Sequence, residues 1–463
     1  MSGSAPVFRI AAIDCFEQPV RYRMPFRFGA ATVDDGVQAF VRARIRLTDG
    51  REAEGAAAEL MVPKWFDKDP GLSGEDNVEQ LRRALTIARA VYLEDARPRT
   101  AFGHFAAHAR ACAEEGRRQG LPALAAAFGP AEIDKAILDA LCRALGISFY
   151  DAVVHDRIGF APDDVAPDTA GVDASAFLGS LSPQAALRIR HTVGMADALR
   201  GHPARLNDRL PESLEEAIAH YGLRAFKVKL GGDPAADLAR LRDVASVLDA
   251  LPDYRVTLDC NEQYAPESLQ AFLRTLRADA SLRRFAGAVL FVEQPLPRLQ
   301  TFDVDVGPLC EGFPMLADEA DATADDFPRA HGRGYAGVSS KSCKGLYKSL
   351  VNALRCAMWD DGAFLSAEDL TTPPGLAVQQ DLALASILGI SHVERNGYHY
   401  LTGAPGREQA AILARHRALY EGARLAVRDG VVAIGSLDCE GFASGALPSL
   451  GGLAALRSRE FTE

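Results

Sequence analysis

Along residues 226–230 apolar and cationic side chains alternate strictly, as Phe226, Lys227, Val228, Lys229 and Leu230. Side chains two apart on a strand share a face, so the two lysines point one way while the apolar three can pack under helices. Alone, such a pair reads most simply as a solvated edge strand. The rest of the chain changes that reading. Short apolar runs ending in a polar residue recur at Lys229, Asp259, Glu293, Asp318, Lys341, Glu368 and Glu394, 23 to 34 residues apart, with helical stretches between them. One such helix opens at Asp233-Pro234, an N-cap followed by proline, and shows Leu238, Leu241, Ala245 and Leu248 on its inner face. The spacing is close to that of a (β/α)8 barrel, where roughly 250 residues make eight units. A weaker strand near 191–193 brings the number to eight. A doubly wound open sheet would alternate similarly but wants a glycine-rich first turn, which is lacking.

Residues 6–60 read as β-rich. The run from Phe40 to Leu47 alternates, and Thr48-Asp49-Gly50-Arg51 is a hairpin turn. Residues 24–30, aromatic and basic with a glycine, read as a loop, and 60–66 as a second, apolar loop. Aromatics on such loops either close over a ligand or plug their own domain's edge. From Asn77 the pattern is helical. Ile133, Ala136, Ile137, Ala140 and Leu141 form the last apolar stripe, and Gly146 ends it. Residues 150–212 carry few periodic signals, and Gly201-His202-Pro203 suggests an excursion. The stretch 406–463 offers an amphipathic helix, a short β piece near Leu425 and a turn at Asp429-Gly430. The expected architecture is therefore α/β: a TIM-like barrel over 131–405, an α+β capping domain over 1–130, and a tail, 406–463, packing back on the cap.

The 463 residues, 48% hydrophobic, suffice for two domains. A net charge of −11 argues against nucleic acid and anionic membranes as partners. No apolar run is long enough to span a bilayer, and the first residues lack a secretory signal pattern. The 8 cysteines include no Cys-x-x-Cys pair, so free thiols in a reducing cytoplasm are expected. A homo-oligomer is compatible with all of this.

In a barrel, side chains at the C-terminal strand ends converge on one mouth. Two-residue parity turns Asp259, Glu293, Asp318 and Lys341 inward, with Asn261 on the side of Asp259, and gives Cys260 the wrong direction. Three ionised acids from adjacent strands require a cation. An all-oxygen set selects a hard divalent ion, Mg²⁺ first and Mn²⁺ second. Lysines flanking that ion suit removal of the proton next to a substrate carboxylate, the ion stabilising the enolate. For a lysine to act as base its pKa has to fall, and Lys227 beside Lys229 is the expected perturber. Asn261 and Glu319 beside the acids, and Glu368, Asp369 and Glu394 on the last two strands, are candidate substrate contacts. The last three could equally form salt bridges with residues such as Arg395. Arg27, with Phe26 and Phe28, could meet a distal part of the substrate.

The order Lys-Val-Lys (227–229), Asp-Cys-Asn-Glu-Gln-Tyr (259–264), Val-Glu-Gln-Pro-Leu (292–296), Ala-Asp-Glu (317–319) and Lys-Ser-Cys-Lys-Gly (341–345) resembles the enolase superfamily. The match is to the muconate-lactonizing-enzyme subgroup of the mandelate racemase/muconate-lactonizing-enzyme family. Enolase-superfamily sites use a Lys or His base with Mg²⁺. The resemblance implies Asp259, Glu293 and Asp318 as Mg²⁺ ligands, Lys229 and Lys341 as paired acid/base groups, and Lys227 as auxiliary lysine. It also implies a capping domain whose loops close over the mouth. The segment 341–346 departs from the family by lacking a glycine, and Ser339 and Ser340 stand where aliphatic residues are common. The reactions implied are racemisation or epimerisation, cycloisomerisation, or syn-dehydration of a small-molecule carboxylate. A silent ligand-binding barrel and a Schiff-base aldolase are the rivals, and imine chemistry gives no reason for three acids.

Overall fold

The computed structural model describes residues 4–29, 31–201 and 206–459. The chain opens with an antiparallel sheet of β1 (Phe8–Phe28), β2 (Ala31–Leu47) and β3 (Glu52–Met61). Its β2 alternation is realised: Ala43, Ile45 and Leu47 are buried while Arg44 and Arg46 are exposed. The expected loop at 24–30 is instead the tip of a long two-stranded ribbon, with Phe26 paired to Val33 and Arg27 to Thr32. A register shift between Arg21 and Phe26 re-aims this tip, as bulges do. Ala30 lies outside the described residues. Likewise Leu60 and Met61 finish β3, so the second apolar loop begins only at Val62.

Helices α1 (Gly74–Glu94), α2 (Ala101–Arg118) and α3 (Ala123–Leu145) cover this sheet. The α3 helix runs unbroken through residue 130, across the division expected there. It ends at Gly146 in the left-handed conformation, φ 65°. It lies so close to β3 that a methyl group on Gly55 would sit 2.1 Å from the Ala140 amide nitrogen. Such backbone proximity tolerates only glycine.

Eight parallel strands come next: β4 (Ala186–Val193), β5 (Ala225–Lys229), β6 (Arg255–Asp259), β7 (Val289–Glu293), β8 (Met315–Ala317), β9 (Gly337–Ser340), β10 (Phe364–Ala367) and β11 (His392–Glu394). Each pairs with its successor, and β11 pairs back to β4, closing the barrel. In the excursion before β5, His202 and Pro203 lie outside the described residues. The tail touches both parts: Val431–Ala433 pairs with β4, and Ala454–Ala455 with Phe16 and Glu17 of β1. Among the described residues no helix is long and apolar enough to cross a membrane.

Candidate active site

Strand register brings the predicted side chains together. Lys229 is the lateral partner of Asp259, and Asp259 of Glu293, on three adjacent strands. Asp318, Lys341 and Glu368 each come directly after the last residue of β8, β9 and β10, and Glu394 ends β11. Phe226 and Val228 are fully buried on the opposite face of β5, as is Leu230 just beyond its end, and Cys260 is buried away from the mouth's lining.

Ion pairs fill the floor of the mouth. The Lys227 ammonium lies 2.9 Å from Asp259, 2.8 Å from Glu293, 2.7 Å from Glu368 and 2.9 Å from Glu394. Burial opposes its charge, but these four carboxylates outweigh burial and hold its pKa well above the ordinary lysine value. Lys227 is thus a hub for acids. Lys229 donates to Asp259 Oδ2 at 2.5 Å, and Lys341 to Asp318 Oδ2 at 2.7 Å. Against the opposing effect of burial, Lys341 and Lys344 pull Asp318 below the usual carboxylate range. Burial opposes the charge of Lys341, and Asp318 outweighs it and raises the lysine's pKa.

Several residues that sequence reasoning did not single out hold these groups in place. Gln294 accepts from the Asp318 amide at 2.8 Å and the Ala320 amide at 3.1 Å, splinting the turn that carries Asp318. Lys344 donates to Ser339 Oγ at 2.6 Å and to the Asp318 carbonyl at 3.0 Å, which gives Ser339 on β9 its partner. Arg190 on β4, fully buried, pairs with Glu368. Lys68 from the second cap loop donates to Glu319 Oε1 at 2.8 Å and to the Asn261 carbonyl at 2.8 Å. Asn261, Glu262 and Gln294, just beyond the acid-bearing strands, have positive φ of 42°, 69° and 35°. Non-glycine residues keep that conformation only where surroundings over-determine it, and such positions cluster at functional sites.

The other candidates divide. Glu394 and Asp369 line the mouth, yet both are engaged: Glu394 with Lys227 and Thr192, Asp369 with Arg395 at 3.1 Å. Glu368 sits beneath Lys227, bonded to Ser366 and Arg190. Asn261 and Glu319 bond each other at 3.2 Å beside the acids. Arg27 is exposed on the ribbon face opposite to Phe26 and Phe28 and is not brought to the mouth. The apolar wall comes from the cap, as Tyr22, Phe26, Phe28, Val62 and Trp65, with Leu370 from the barrel. The Phe28 ring lies 5.8 Å from Lys229 and the Trp65 ring 4.0 Å from Lys341. A larger cavity of about 280 Å³ lies behind β4, lined by Arg23, His191, Glu212 and His399. It contains none of the predicted residues, several of which line the smaller mouth instead.

Among the described residues, no three His, Cys, Asp or Glu side chains are already drawn into a cage that could hold a metal ion. The acids at the strand ends nonetheless suit one. Glu293 Oε2 is buried with no hydrogen-bond partner. Burial, then the charges of Asp259 and Glu368, push Glu293 well above the usual carboxylate range. A buried carboxylate repelled by its neighbours and carrying a free oxygen is a donor short of a cation, and the donors around it are hard oxygens. The residues that would hold the ion are Asp259, Glu293 and Asp318.

A closed parallel barrel with acids and lysines at its strand ends, under an α+β cap, defines a class. Residues 209–435 match the family model described as enolase C-terminal domain-like. Over that stretch, just under half of its length, the chain is similar to the enolase C-terminal domain-like family. It is 28% identical over 277 residues to a hydrophobic dipeptide epimerase of Citrifermentans bemidjiense, covering 59% of this chain and 57% of that protein. It is 36% identical over 124 residues to an aromatic dipeptide epimerase of Herpetosiphon aurantiacus, covering 27% of this chain and 32% of that protein. The chain thus spans little more than half the length of the first of these relatives and a third of the second. The crystal structure of a dipeptide epimerase from Enterococcus faecalis V583, complexed with Mg and L-Leu-L-Tyr, has the same fold, with a TM-score of 0.61. That match covers 94% of this chain and 99% of the other at 14% identity.

Proposed function

We propose that this protein is a Mg²⁺-dependent epimerase or racemase that removes the proton next to a substrate carboxylate, with apolar dipeptides as its substrate class. One observation carries the reading. Lys229 and Lys341 flank the Asp259–Glu293–Asp318 series in strand order, each within 2.7 Å of an outer acid. Two amines on opposite sides of one site can serve a carbon whose proton is lost to one and regained from the other. A divalent ion held by the three acids would supply the positive charge that offsets the developing enolate, and Mn²⁺ has the same preference for oxygen donors. The chain's own part is orientation: Lys227 holds Glu293 and Glu394, and Gln294 and Lys344 hold Asp318. The aromatic lip of Phe26, Phe28 and Trp65 excludes water and offers a surface for an apolar side chain. The names of the two curated relatives favour the same substrate class. Eight free cysteines support a reducing, cytoplasmic setting.

Cycloisomerisation and syn-dehydration need the same pair, with one lysine as base. A silent ligand-binding barrel needs neither. Incubating the protein with Mg²⁺ in D₂O and a panel of apolar dipeptides, both configurations of each, separates these readings by mass spectrometry. Deuterium entering the α-position with mixing of configuration is the expected result. Unsaturated or cyclised products would favour the lyase or cycloisomerase reading. A panel that takes up no deuterium contradicts the proposal.

A further inference from the structure

One buried cation has no place in that chemistry. Lys135, on the cap helix α3, is fully buried, with no exposure of its side chain. Its ammonium lies 2.8 Å from Glu132 Oε1 and 3.6 Å from Glu59 Oε2. It also donates to the Ala58 carbonyl at 3.2 Å and to Ser342 Oγ at 3.1 Å. Of the three protons of the ammonium, Ala58 and Ser342 each accept one, while Glu132 faces the charge as an ion-pair partner. The first two partners belong to the cap. The third belongs to the barrel and is the residue after Lys341.

Ser342 is gripped from its other side as well. Its amide donates to Asp381 Oδ1 at 3.0 Å, and Asp381 Oδ2 lies 3.1 Å from Arg395, which reaches Asp369 at the mouth. Ser342 starts a single tight turn in which the Lys344 amide returns to the Lys341 carbonyl at 3.0 Å. Fixing Ser342 therefore fixes the direction in which Lys341 leaves the backbone. At its far end the Lys341 ammonium meets the Asp318 carboxylate and the face of Trp65. Burying an ion between two acids is costly unless its contacts are complete. Such a group is a poor choice for stability alone and a good one for fixing geometry across an interface.

We infer that Lys135 is a positioning residue: through Ser342 it aims Lys341 across the cap–barrel interface, so that the cap sets the geometry of one of the two acid/base lysines. The inference deepens the reading of Lys341 as an acid/base group and rests on it only for the consequence in turnover. Its geometric content can be tested without any substrate. The chain has 2 tryptophans, so Trp359→Phe leaves Trp65 as the single indole reporter. An ammonium over an indole face perturbs its emission electrostatically. In that background Lys341→Met defines the spectrum of Trp65 without the ammonium. Ser342→Ala, which removes only the acceptor of the Lys135 bond, is expected to move Trp65 emission towards that spectrum. The pair Lys135→Met with Glu132→Gln, which removes cation and partner acid together, is expected to do the same, and combining it with Ser342→Ala adds nothing further. Should the paired substitution prevent folding, Ser342→Ala decides alone.

In turnover, Ser342→Ala is expected to slow α-proton exchange about tenfold or more for one epimer, misplacement near the chemistry being costly. Exchange of the other epimer should stay within about twofold, since Lys229 is untouched. Spectra of Ser342→Ala that coincide with the parent overturn the inference, as does a Lys341→Met spectrum that coincides with it. Equal slowing of both epimers also overturns it, because that is the mark of a merely structural role. An unmodified protein that exchanges neither epimer removes the reading of Lys341 as acid/base group and leaves the spectroscopic result to stand on its own.

Discussion

The Lys341 ammonium lies 4.0 Å from the centre of the Trp65 ring. The ring stands on a cap loop, braced edge-on by Phe66, 4.7 Å away, which itself rests on Phe128 of α3. A side chain of the cap thus covers a lysine of the barrel. A cation over an aromatic face is stabilised by about 0.5–2 kcal/mol. Trp65→Ala should therefore lower kcat/KM about two- to thirtyfold, while Trp65→Phe should keep most of it. Steady-state kinetics on an apolar dipeptide checks this. A Trp65→Ala protein with unchanged kcat/KM would show that the lip does not seat the lysine.

Glu293 is the acid with an unpaired oxygen. Glu293→Gln keeps the shape and an acceptor for Lys227 but removes the charge. Mg²⁺ affinity measured by calorimetry should fall at least about tenfold, the lower end of what even supporting residues of metal sites cost. Without Mg²⁺ the urea midpoint of this variant should be no lower than that of the parent, since Asp259 and Glu368 repel the native carboxylate. Undiminished Mg²⁺ binding would remove Glu293 from the ligand set.

Stability should depend on pH through buried histidines of cap and barrel. Burial drives His104 down to about 4 from 6.5, its ring bonded to the Phe8 carbonyl at 3.0 Å. Its folded-state value is depressed, so the unfolded chain takes up the proton first as pH falls. The stability it contributes is complete above about 6.5 and is lost on the way down through 4, about 3 kcal/mol in all. His191 and His392, driven by burial to about 3, act in the same direction. Urea midpoints between pH 7 and pH 4 should fall steeply in the parent and less steeply in His104→Gln, which retains a donor for Phe8. Equal slopes would mean that His104 is protonated in the folded cap.

Most of the barrel could be read from strand parity because a parallel strand carries its register within itself. Lys229, Asp259, Glu293 and Glu394 end their strands as the alternation requires, and Asp318, Lys341 and Glu368 stand one residue beyond theirs. The cap was less legible. Residues 24–28 look like a loop because Pro25 and the Gly29 that follows them are turn residues, yet a partner strand and a register shift make them a ribbon. Arg27 shares a short motif with Phe26 and Phe28, but alternation on that ribbon turns it outward. The supporting contacts leave even less trace. Lys68 meets Glu319 and Arg190 meets Glu368 across 251 and 178 residues of chain, distances over which local pattern carries no information. Gln294 lies inside the Val-Glu-Gln-Pro-Leu motif, but its role as splint for the Asp318 turn depends on the packing of β7 against β8.

The assignment of two lysines to two faces of one carbon is tested most directly by tracking each epimer of an exchanging substrate separately in D₂O with Mg²⁺, in the parent, in Lys229→Arg and in Lys341→Arg. Each substitution keeps the charge but replaces the amine by a group that does not release its proton near neutral pH. Lys229→Arg should abolish exchange from one epimer and Lys341→Arg from the other, with interconversion lost in both. Exchange of the same epimer abolished by both variants, or of both epimers surviving in either, would contradict the account.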